Sequence, residues 1–69
     1  MMKFVVKFPK GDETPCILPI EKAHYLGVLL EDGCEIKSLQ PTGDESPLVL
    51  GFRLVKLGLE NLVREFNLY

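Results

Sequence analysis

Between Met2 and Phe8 apolar and polar positions alternate. Phe4, Val6 and Phe8 fall on one side of an extended chain, and Lys3, Val5 and Lys7 on the other. A period of two is the pattern of a strand buried on one face, so a strand is predicted here with Phe4, Val6 and Phe8 turned to the core. Pro9 to Pro15 holds two prolines with Gly11, Asp12 and Thr14. Preset φ values and short polar side chains that bond back to the main chain make this segment a turn. Cys16 to Leu18 reads as a second strand, which Pro19, lacking an N–H, must end or confine to a sheet edge.

From Glu21 the period changes. Ala23, Leu26, Leu29 and Leu30 recur at helical spacing, an acid stands at the start, and Gly33 comes just after the last periodic residue. An acid there meets the positive end of the macrodipole, and a glycine just past a helix adopts the left-handed conformation that ends it. A helix over 21–32 is predicted, with Ala23, Leu26, Leu29 and Leu30 buried. Gly27 costs about 1 kcal/mol relative to alanine in a helix interior, so it is expected to admit another backbone. Cys34 to Gln40 reads as a third strand, in which Ile36 and Leu39 fall on opposite faces unless a bulge intervenes.

Residues 47–66 fit two patterns. Leu48, Leu50, Phe52 and Leu54 alternate as in a strand, whereas Leu48, Phe52, Val55, Leu59, Leu62 and Phe66 recur at steps of four and three as on a helix. Ser46 and Pro47 would serve that helix as N-cap and first residue. A repeated phrase chooses between the two. Pro9-Lys-Gly-Asp-Glu-Thr-Pro-Cys-Ile-Leu18 recurs 32 residues later as Pro41-Thr-Gly-Asp-Glu-Ser-Pro-Leu-Val-Leu50, with six identities in the eleven positions that begin at Pro9 and Pro41. In the first copy the residues after the turn run into Pro19 and cannot lie inside a helix. If the copies are alike, Leu48 to about Phe52 is a strand and a helix continues from it to about Asn67. The expected fold is α+β: a duplicated ββα unit (ββαββα) with half-repeats at about 2–33 and 34–69, forming one domain. Its sheet would be four-stranded and largely antiparallel, with two helices on one face and pseudo-twofold symmetry.

Composition adds a surplus. Hydrophobic residues make up 46% of 69, yet a chain this short buries only about 60% of its unfolded surface. Apolar residues left outside mark an interface, so a homodimer is expected, with another protein as a further partner. Val5, Val49 and Val55 are candidates for the sheet face the helices would leave open. The net charge of −2 argues against a general nucleic-acid binder. Lys3, Lys7 and Lys10 nevertheless cluster at the amino end, where Tyr25 or Tyr69 would supply stacking groups. A dimeric nucleic-acid-binding regulator is therefore the alternative function. Two cysteines match no disulfide framework or zinc spacing. The chain shows no signal peptide and no apolar run of membrane-spanning length, so a cytoplasmic protein is expected.

Chemistry-bearing groups are sparse. The twin Gly-Asp-Glu turns carry Asp12, Glu13, Asp44 and Glu45, whose oxygens suit Ca²⁺ or Mg²⁺ or an acidic docking surface. Turns related by a pseudo-twofold often lie at different ends of a sheet, and solvated acids are the plainer reading. Cys16 or Cys34 with His24 offers a thiol and a base, which makes a small thiol or hydrolytic enzyme a second alternative, although no third group is placed to orient that base. Thr14-Pro15 and Ser46-Pro47 have the form of proline-directed phosphorylation sites, which turn geometry already explains. No cofactor and no metal is expected. The function read from the sequence is a small, self-associating, non-enzymatic protein–protein interaction module of adaptor or inhibitor type.

Overall fold

The first strand, β1 (Met2–Lys7), lies in the middle of a three-stranded antiparallel sheet, between β2 (Glu13–Leu18) and β3 (Glu35–Pro41). The computed structural model describes residues 1–68 and adds three helices, α1 (His24–Glu31), α2 (Pro47–Lys56) and α3 (Glu60–Glu65), with one 3₁₀ turn at Ile20–Lys22 ahead of α1. Alternation along β1 works as expected for Phe4 and Val6, which are buried together with Met2. Phe8 does not join them. Its N–H donates to the Asp12 carbonyl at 2.7 Å and its carbonyl accepts from Gly11 N–H at 2.8 Å, so it belongs to the turn beyond the sheet and its side chain is exposed.

A β-bulge resolves the odd spacing in β3. Val5 pairs with Ser38 and Val6 with Ile36, leaving Lys37 as the extra residue. One added residue shifts the alternation by one, so Ile36 and Leu39, three apart in sequence, are both buried. They join Phe4, Leu26 of α1, Leu50 and Leu54 of α2, and Leu62 and Val63 of α3 in one core. The helices thus cover the sheet face that bears Met2, Phe4 and Val6. Lys3, Val5 and Lys7 occupy the open face, in register with Ile17, Pro15 and Glu13 on β2.

Each helix ends in the same way. After α1, Gly33 N–H donates to the Leu30 carbonyl at 3.1 Å and Cys34 N–H to Leu29 at 3.0 Å; after α2, Gly58 N–H donates to Val55 at 3.0 Å and Leu59 N–H to Leu54 at 2.8 Å. These are Schellman caps, and they require a left-handed residue that glycine adopts without a Cβ penalty; φ is +87° at Gly33 and +77° at Gly58. Asn67, at φ 55°, ends α3 in the same conformation, with Leu68 N–H bonded to the Val63 carbonyl at 3.0 Å. The Gly58 cap therefore divides the carboxyl-terminal seam into two helices.

These observations correct the duplicated ββαββα fold. The sheet has three strands rather than four, and the second half runs strand–helix–helix, so the repeat does not produce a pseudo-twofold. The first copy of the phrase closes the β1–β2 hairpin, whereas the second leads from β3 into α2. Ser46 is the N-cap of α2, its hydroxyl accepting from Leu48 N–H at 3.2 Å, and Pro47 is the first helical residue. A capping serine next to a proline starts a helix as readily as it fills a turn. The residues downstream decide between them, since Pro19 halts the first copy while Gly51-Phe-Arg-Leu allows the second to continue in helical form. In α1 the regular helix begins at His24, later than expected, and Ile20 from the 3₁₀ turn is buried while Leu30 is exposed. Gly27 faces the Leu59 side chain, at 3.6 Å from an added Cβ, and no other backbone.

Candidate interaction surface

One helix of this small fold carries two apolar stripes. Leu50 and Leu54 of α2 are fully buried. At 100° per residue, Leu48, Phe52 and Val55 fall on the opposite side, and they are exposed: Phe52 by 67% and Leu48 by 62%. Val49, beside Phe52 on the helix surface, is exposed as well. The regular four-and-three seam of the sequence thus points to solvent over its first three members, while the core is built from the residues between them.

The stripe borders a groove of about 540 Å³ lined by Leu48, Gly51, Phe52, Val55, Val63 and Leu68 together with Val49. Gly51 lies in its floor between α2 and Leu68. Its bare Cα faces the carbonyl of Leu68, closer than any Cβ would permit, so Leu68 lies directly against α2. Lys56 Nζ stands 5.3 Å from the centroid of the Phe52 ring, a cation–π distance. Arg53 lies on the same flank as Lys56, and the two line a smaller cleft with Glu21 and Glu45.

The acids expected from the twin turns do not meet. In the β1 register Lys7 pairs with Glu13 and Met2 with Pro41, so Asp12 and Glu13 lie at one end of the sheet, and Asp44 and Glu45 at the other. Five steps along β1 separate the ends by about 17 Å. Glu45 accepts from the Met1 amino group at 3.4 Å. Among the described residues no group of three or more His, Cys, Asp or Glu side chains is placed to hold a metal ion. Of the three candidate valines, Val5 lies on the open sheet face, half-buried, whereas Val49 and Val55 lie on α2. The structure thus gathers Val49 and Val55 on one helix with Asp44 and Glu45 at its amino end, and leaves Val5, Asp12 and Glu13 apart from them. Leu48 and Phe52 complete the surface. The seam is their signal in the sequence, but the strand reading places them in the sheet.

The remaining candidates are dispersed. Lys3 and Lys7 lie on the open sheet face, where Lys7 is in register with Glu13 on one side and Glu35 on the other. Acids beside a lysine break up a basic field. Lys10 lies in the hairpin turn. His24 is exposed with its ring 4.7 Å from that of Tyr25, and Tyr69 lies outside the described residues. Cys16 is half-buried in a groove with Lys22, Tyr25 and Leu29, Cys34 is buried, and His24 lines a different groove beside Gly27 and Leu57. No helix among the described residues is long and apolar enough to cross a membrane. Comparison with protein families, curated proteins and solved structures finds no match.

Proposed function

We propose that the protein is a small non-enzymatic interaction module whose working surface is the outward face of α2, and that it docks an apolar helix of a protein partner there. The observation that supports this reading is the exposure of Leu48, Val49, Phe52 and Val55 on one side of a single helix. Isolated apolar side chains on a surface carry no information, but a contiguous set beside an apolar groove does. A second helix laid along such a stripe would fill the groove at an axial separation of about 8–10 Å.

Photo-crosslinking tests the reading. With p-benzoylphenylalanine in place of Phe52, irradiation in cells is expected to yield discrete protein adducts. The same group in place of Ile17, also exposed but on the open sheet face, is expected to yield none. No adduct from position 52, or an indistinguishable spread from both positions, would remove α2 as the working surface.

A further inference from the structure

We propose that the helix docked on α2 is the α2 of a second copy of this chain, in an antiparallel, two-fold pair. This rests on the reading of α2 as the working surface and names its occupant. The first observation is the distribution of charge. Asp44 and Glu45 immediately precede the helix, and Arg53 and Lys56 occupy its last turn. All four side chains are exposed. Within the described residues only Glu45 of the four makes an ion pair, with the Met1 amino group. Antiparallel pairing lays the acids of each copy beside the bases of the other and opposes the two helix dipoles. A parallel pair would set acid against acid and base against base.

Two-fold pairing has a further requirement, which this surface meets. An isologous interface uses the same patch on both sides, so the patch must complement itself when turned through 180°. Rotation about an axis near the middle of α2, between Gly51 and Phe52, sets Leu48 across from Val55 of the other copy and brings each Phe52 close to the axis. The acidic end of one helix then falls within a turn of Lys56 on the other. A partner of a different kind would need its own matching arrangement; a second copy has it already.

The area agrees. From their fractional exposures, Leu48, Val49, Phe52 and Val55 expose on the order of 400 Å², taking a free aromatic side chain at about 150–250 Å² and the aliphatic ones at the low end of that range. A standard interface buries about 800 Å² per partner, somewhat more than half of it apolar. The stripe supplies most of that apolar centre, and Asp44, Glu45, Arg53 and Lys56 supply a charged rim. Rim charges are screened by salt, so the pair is expected to weaken as ionic strength rises.

The test uses the whole chain in sedimentation equilibrium up to high micromolar concentration at low salt, where the unaltered protein is expected to dimerise. One variant carries Arg53→Glu and Lys56→Glu; another carries Asp44→Lys and Glu45→Lys. Each alone sets like charges together and is expected to self-associate about tenfold more weakly or worse. Mixed, they complement one another, and a heterodimer at least as tight as the unaltered homodimer is expected. A variant that had merely failed to fold would not be rescued by mixing. Self-association unchanged in both variants, or no recovery on mixing, overturns the antiparallel pair. An unaltered protein that stays monomeric while position 52 crosslinks to a different chain overturns the second copy as occupant and leaves α2 as the working surface. A monomer with no adduct from position 52 overturns both.

Discussion

Phe4→Ala is expected to remove the cooperative unfolding transition or to lower its midpoint by at least about 15 °C. Phe4 lies on the central strand, between Cys16 on β2 and Leu39 on β3, and is 1% exposed. Truncating a buried phenylalanine costs about 3–5 kcal/mol, part lost transfer energy and part the cavity left behind. A domain of this length has a total stability of roughly 3–10 kcal/mol, and each kcal/mol moves the midpoint by about 4–8 °C. Little would remain. Thermal unfolding monitored by far-UV circular dichroism checks this, and a shift of only a few degrees would show that Phe4 is not at the centre of the core.

A second large effect is expected from a substitution that helix propensity alone would favour. Gly51→Ala raises helix propensity by about 1 kcal/mol, yet the new methyl would fall inside the Leu68 carbonyl oxygen, which belongs to main chain rather than to a flexible side-chain tip. To make room, the buried Leu68 must move off α2. A net destabilisation of about 1–3 kcal/mol is expected, within the range of overpacked cores. Gly27→Ala provides the control. It also lies inside a helix, but its Cβ would meet only Leu59 at ordinary contact distance, 3.6 Å, so it should stabilise by about 0.5–1 kcal/mol. Urea titration of the two variants should give midpoint shifts of opposite sign; shifts of the same sign would contradict the close approach at Gly51.

The difference between these glycines shows what the sequence discloses and what it conceals. Its local signals are sound: alternation finds β1, Gly33 marks the end of α1, and the mismatched spacing of Ile36 and Leu39 points to the bulge in β3. Ser46-Pro47 points equally well to the start of α2, but the repeated phrase outweighs it. That phrase encodes a bend and then a capping residue next to a proline, and both a hairpin and a helix start can use it. The outcome depends on the residues downstream, where Pro19 and Gly51 differ. Gly51 gives no local sign of its role, because the Leu68 carbonyl that approaches it comes from 17 positions away. The candidate surface is half legible for a similar reason. The sequence offers Val49 and Val55 as candidates for an open sheet face, while it assigns Leu48 and Phe52 to a strand or, together with Val55, to an apolar helix seam. A helix with apolar residues on two sides shows which side is buried only once its neighbours are in place.

The outward orientation of that seam is the central claim, and unfolding in urea tests it directly. Phe52→Lys and Leu54→Ala alter neighbouring positions on opposite sides of α2. At concentrations low enough for the protein to be monomeric, Phe52→Lys is expected to change stability by no more than about 0.5 kcal/mol, and Leu54→Ala to lower it by about 2–5 kcal/mol. If Phe52→Lys costs as much as Leu54→Ala, the seam faces the core, and α2 has no outward apolar surface to offer.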